Sequence, residues 1–124
     1  MNHFDELGFS WDRSLIPTNI PRMPANEVLR HFHHNIPEFV YDMCFLEGNP
    51  LTLSEVRMVL DGIKLANQNQ FDQNQVTNTA KAVHHLHELV KANQFALDKQ
   101  TFCALHALLA KEEALEWGHF RGEG

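Results

Sequence analysis

The chain has 124 residues, 44% apolar and 21% charged, a single domain's length with ordinary globular composition. Ten Lys and Arg face sixteen Asp and Glu, a formal net charge of −6, so the clustered cations that a nucleic-acid backbone demands are missing. No apolar run approaches the ~20 residues of a membrane span, and Met1-Asn2-His3-Phe4-Asp5-Glu6 has neither the basic nor the apolar segment of a secretory leader. The expectation is a cytoplasmic protein without nucleic-acid or membrane partners.

Residues 1–24 hold Gly8, Pro17, Pro21 and Pro24, a density that blocks regular helix. Phe4, Phe9, Trp11 and Ile20 suggest an arm that packs on something. A first helix is expected from about Ala25 to His34, with Val28, Leu29 and Phe32 as its stripe. Asn35-Ile36-Pro37-Glu38 reads as a stop and restart, Pro37 suiting a helical first turn. The second helix, Pro37 to Glu47, carries Phe39, Val40, Met43 and Leu46, and Gly48 follows as its C′ residue. Thr52-Leu53-Ser54-Glu55 is a capping box. The helix it opens carries Val56, Val59, Leu60 and Ile63 and is expected to fade near Asn67. Asn67 to Gln75 is polar and reads as a loop. A helix from about Gln75 to Ala92 has Val76, Ala80, Val83, Leu86 and Val90 on one face. Asp98 can cap a last helix, about Lys99 to Leu115, with Phe102, Leu105, Leu108 and Leu109. Trp117 to Gly124 has no helical pattern. With no strand-like alternation and no repeat, the fold class is all-α, a helical bundle with short loops.

The nine histidines include two clusters, His31-His33-His34 and His84-His85-His87. His84 and His87 share a helical face beside Glu88, but H-E-x-x-H is absent, and packed or surface histidines are preferred over a metal site. Cys44 and Cys103 sit in apolar helical stretches, outside any C-x-x-C, and read as buried free thiols of a reducing compartment. Ser10, Ser14 and Ser54 lack nucleophile partners, and no P-loop, Rossmann or G-x-S-x-G pattern occurs. Glu112, Glu113 and Glu116 look like a solvated helix face. Glu47 stands out: a carboxylate in the last turn of an apolar helix meets the negative end of the dipole. It either lies exposed at a small penalty or needs a cation; spacing alone leaves both open.

Four segments, in order, resemble those of Fic-domain proteins. Glu47-Gly48-Asn49-Pro50-Leu51-Thr52-Leu53-Ser54-Glu55-Val56 closely resembles the family's E-G-N-x-x-T-L-x-E-(V/I). Asn78 to Ala82, with Val83 and Leu86, is similar to its N-x-x-x-A-L helix. Leu97 to His106 is similar to L-T-x-x-x-I-L-x-L-H, and Gly118-His119-Phe120-Arg121 to G-x-(F/Y)-R. The resemblance spans about residues 43–121. It implies the front portion of a Fic-type fold, with 1–36 an N-terminal arm and first helix, and 37–124 an inhibitory helix plus partial core.

The family's usual activity is AMP transfer from ATP, with a divalent metal such as Mg, to a protein hydroxyl. Its signature loop H-x-F-x-x-G-N-G-R supplies the general base and the phosphate-holding glycines; nothing between Arg121 and Gly124 matches it, and the family's β-hairpin flap is absent from the sequence too. The resemblance thus implies no catalytic residue and no cofactor for this chain alone, with ATP and Mg belonging to an intact parent. Glu47-Gly48 matches the second half of the inhibitory (S/T)-x-x-x-E-(G/N) pattern, whose Glu pairs with a signature-loop Arg. Met43 stands where Ser or Thr is usual and lacks the hydroxyl donor. His106, Gly118 and Arg121 match supporting core positions. The implied partner is the rest of a Fic core or a Fic partner chain, with a homo-oligomer also open. The alternative is an antitoxin-like regulator that supplies Glu47 in trans, or a helical interaction module; a histidine-rich metal binder is a third, weaker idea.

Overall fold

A computed structural model describes residues 8–123; Phe4 of the expected arm lies outside them. The described residues form five α-helices and no strand: α1 (Ala25–His34), α2 (Ile36–Leu46), α3 (Leu53–Leu60), α4 (Gln70–Lys91) and α5 (Lys99–Leu109), preceded by a 3-10 turn at Arg13–Leu15. The all-helical class is as the sequence reads. The arm differs: Phe9, Leu15, Ile16 and Ile20 are exposed, while Trp11 is half-buried.

The long α4, about 33 Å at 1.5 Å per residue, is the axis on which every other helix packs. Val40 of α2, Val56 of α3 and Val76 of α4 are the largest fully buried side chains, joined by Ile36, Cys44, Leu51, Ala80 and Val83. Ile36, Val40 and Cys44 recur every four residues, so the buried stripe of α2 is theirs. The expected stripe of α2 is only half right: Val40 is buried and Met43 half-buried, but Phe39 and Leu46 face outward, Leu46 at 82% exposure. Val28 on α1, Val90 on α4 and Phe102 on α5 are exposed as well, and Ile63 lies beyond α3 and is exposed.

A single residue, Asn35, separates α1 from α2, closing one helix and opening the next. Its Nδ2 donates at 2.8 Å to the His31 carbonyl, which also accepts the Asn35 N–H at 3.2 Å, so one residue closes the last turn twice. At the other end of α2, Gly48 takes φ +84°. Gly48 N–H donates to Phe45 O (3.0 Å) and Asn49 N–H to Cys44 O (3.0 Å), which is a Schellman close. The capping box of α3 is present in both directions: Glu55 N–H to Thr52 Oγ1 at 3.2 Å, Thr52 N–H to Glu55 Oε2 at 2.8 Å.

Three boundaries differ from the sequence expectation. Helix α3 ends at Leu60, not near Asn67, and α4 begins at Gln70, within the stretch expected to be a loop. The polar side chains there serve the interior. Asn69 Oδ1 accepts from Phe71 N–H at 2.8 Å and caps α4. Gln73, buried, accepts Leu65 N–H (2.9 Å) and donates to Leu65 O (3.0 Å) and Gln68 O (3.1 Å), holding the 61–69 loop against α4. Helix α5 stops at Leu109, because Glu112 adopts φ +65° and turns the chain away. Glu112, Glu113 and Glu116 are exposed, yet lie on that turn and not on a helix face.

Asn49 is the polar centre of the fold. Buried in the α2–α3 loop, it donates from Nδ2 to Asp72 O (3.0 Å) and Gln75 Oε1 (2.8 Å), and its Oδ1 accepts Leu51 N–H (3.0 Å). Asn49→Leu leaves those groups unpaired, and a loss of about 2–3 kcal/mol in urea-unfolding stability is expected; a change within experimental error would show that water takes over the bonds.

The Thr52 N–H, then Gln68, which donates to Glu55 Oε1 at 3.0 Å, hold the Glu55 carboxyl below its ordinary range. Thr101 N–H does the same for Asp98 at the start of α5. Because these folded-state values are depressed, the stabilisation is present above the unfolded carboxylate range and lost as pH falls through it. The urea midpoint should therefore drop on acidification below about pH 4, with the first turns of α3 and α5 losing amide protection before the centre of α4.

Candidate functional site

The C-terminal turn of α2 delivers Glu47 as the C-cap residue, one step beyond Leu46, with φ −87° and ψ 6°. Glu47 is exposed, on the rim of a cleft of about 410 Å3 between α2, α4 and the end of α5. Cys44 and Thr79 line it at depth, the thiol 3.6 Å from Thr79 Oγ1. Glu113 lines it from the turn after α5, its Oε2 accepting from Gln75 Nε2 at 3.1 Å. Met43 and His106 complete the polar and soft groups of the wall.

No Lys or Arg lines this cleft, and Glu47 forms no ion pair with a described residue. Burial pushes the Cys44 thiol up; the Thr79 hydroxyl works against this, and Glu113 and Glu47 add to it. Cys44 is therefore held as a neutral thiol and is no nucleophile at neutral pH. Both carboxylates lie close enough for their field to reach the same sulfur, and the carbonyl end of α2 adds to that field. With two carboxylates and no Lys or Arg among its lining residues the cleft is anionic, and a planar guanidinium is the side-chain cation best matched to a carboxylate.

His106 projects from α5 and is half-buried. Its Nδ1 accepts the Gly118 N–H at 3.1 Å, so the neutral ring carries its proton on Nε2. Gly118 has φ +78°, and a Cβ there would lie 3.1 Å from the Ala107 Cβ, so both conformation and space require glycine. Lys99 secures the same tail: its Nζ meets Glu123 Oε1 at 2.6 Å and lies 5.0 Å over the Phe120 ring. Arg121 is exposed and shares a separate hollow of about 580 Å3 with His106, His119 and Glu116. Thus His106 and Gly118 meet directly, Glu47 and His106 share a cleft, Gly48 shapes the cap beside it, and Arg121 lies next door.

Sequence reasoning missed Glu113, Gln75 and Thr79 as cleft residues. The helical stripe of α4 points to Thr79 through its neighbours Val76, Ala80 and Val83, but Glu113 depends on the turn at Glu112, which no periodicity reveals.

The histidine clusters form no metal set: among the described residues no three His, Cys, Asp or Glu side chains are placed to hold an ion. His87 is buried, with Nδ1 3.3 Å from Glu88 Oε1 and its ring stacked on Phe32 at 6.4 Å, the packed histidine of the sequence reading. Both cysteines are free, Cys44 buried and Cys103 half-buried.

Gly118→Ala forces an L-residue into left-handed backbone at a cost of about 1–2 kcal/mol and crowds Ala107. Faster tryptic cleavage after Arg121 is expected, with α1–α4 unchanged by amide exchange; unaltered cleavage would show that the tail is held by Lys99 alone.

No family model, curated protein or solved structure matches the chain, so the resemblance over residues 43–121 rests on its motifs.

Proposed function

We propose that the chain is the regulatory and first-helix portion of a Fic-type protein adenylyltransferase, in which Glu47 restrains AMP transfer by pairing with an arginine carried outside this sequence. The observation that carries the reading is Glu47 itself: a helix-capping carboxylate on the rim of an anionic cleft, with Glu113 as a second negative group and no Lys or Arg in the lining. The ordered motif matches support it, and so does the hydrogen bond joining His106 to Gly118, residues of two separate matched segments.

In this reading a guanidinium seated between Glu47 and Glu113 is withdrawn from the γ-phosphate that it would otherwise clamp. Met43 lines the same cleft but donates no hydrogen bond, so the restraint depends on charge. The chain alone contributes no general base and no phosphate loop. A second reading, a regulator supplying Glu47 in trans, is favoured by the exposure of Phe45 and Leu46 beside it, an apolar shoulder suited to a partner.

Incubated with labelled ATP and Mg2+, the isolated chain should transfer no AMP; transfer would defeat the reading. The reading frame beyond the codon for Gly124 separates the two versions, a signature loop H-x-F-x-x-G-N-G-R supporting the first and a stop codon the second. In a parent carrying that loop, Glu47→Gly should raise auto-modification by roughly tenfold or more, the scale of one lost charge-assisted contact. Unchanged auto-modification would remove Glu47 from the mechanism.

A further inference from the structure

Away from the cleft, α1 is held to α4 through imidazole rings. The His33 ring centroid lies 5.0 Å from that of His87, 6.4 Å from His84 and 6.3 Å from His34. Phe32 lies beneath, 6.4 Å from His87 and 5.4 Å from Phe39 of α2. Helix α1 buries no residue completely; Leu29 and Phe32 are its half-buried anchors. Its attachment therefore depends on this aromatic seam and on the single-residue Asn35 junction with α2.

Charge at the seam is already unbalanced. Arg30 of α1 and Lys91 of α4 line the same groove as His33 and His87, and Glu88 is the one carboxylate among the lining residues. His31 and Glu27 lie elsewhere on α1, and Lys81 and His85 elsewhere on α4, while His34 and His84 flank His33, all three exposed. From α2, Glu38 is engaged by Arg57, and Asp42 is exposed.

We propose that this α1–α4 histidine seam is a pH-sensitive latch, closed when its imidazoles are neutral and opened by their protonation. Glu88 Oε1, 3.3 Å from His87 Nδ1, offers a partner to one charged ring. A second charge, on His33, lies one ring away from it, with Arg30 and Lys91 lining the same groove. Histidine is the side chain whose ordinary titration falls between pH 5 and 8. Neutral, the His87 ring stacks on Phe32, and His33 meets His87 at a tilt and His84 edge-on, whereas charged rings repel and draw water. Release leaves α2–α5 intact, because their core is Val40, Val56 and Val76. The proposal is independent of the adenylyltransferase reading.

The test is amide hydrogen exchange of the full chain at pH 7.5 and 5.5, expressed as protection factors so that the intrinsic pH dependence cancels. Protection of α1 should fall by roughly tenfold or more at pH 5.5, with the centre of α4 unchanged, and His33→Gln should abolish the fall. Equal α1 protection at both values, an equal loss in all five helices, or a full response retained in His33→Gln would each overturn the latch. Should His33→Gln loosen α1 at pH 7.5 as well, Glu88→Gln decides: removing the only carboxylate in the groove must enlarge the response, and an unchanged response overturns the proposal.

Discussion

A single buried carboxamide organises this molecule. Asn49 sits where α2 turns toward α3, and it reaches two groups in the first turns of α4 while its oxygen holds the next residue but one along its own loop. A buried amide is tolerated only when its donors and acceptors are met. Meeting them here fixes the angle between the α2–α3 corner and the long helix. Gln73 repeats the arrangement one loop later, tying residues 65 and 68 to α4. The apolar core between these fasteners is built from valine and alanine more than from leucine or phenylalanine, so specificity of assembly falls to polar groups to an unusual degree.

The same corner makes the cleft. The Schellman close that presents Glu47 also aims the Asn49 N–H back at Cys44, so the cap, the buried amide and the buried thiol form one continuous piece of backbone. Gln75 links the two halves, accepting from Asn49 and donating to Glu113. The Glu113 carboxylate and the fastener at the centre are therefore coupled through one side chain, and movement of the turn after α5 has a direct route to the α2–α3 corner.

Much of the fold is readable from the sequence because its signals are local. Pro37, Gly48, the Thr52/Glu55 box and Asp98 each fix a helix end through contacts within three or four residues, and those ends fall where they predict. The failures share a cause. Asn69 and Gln73 have polar side chains that resemble loop residues until their partners are known, the Phe71 N–H of α4 for Asn69 and the backbone of Leu65 and Gln68 in the preceding loop for Gln73. Leu115 continues an apolar pattern that the left-handed residue at Glu112 has already ended. For the site, the position of Glu47 at a helix end follows from sequence, and so does the suspicion that it wants a cation. Its neighbour Glu113 does not, since it arrives through a tertiary turn.

The contrast between the two thiols has a practical side. Cys44 is sealed under Thr79 and kept neutral by its surroundings, whereas Cys103 lies half-open on α5, one turn from His106. Electrophilic dyes react with thiolates that they can reach, so the native chain offers one preferred attachment point without mutagenesis. A fluorophore there would sit beside the hollow that contains His119 and Arg121, and would report on whatever docks against the end of the bundle.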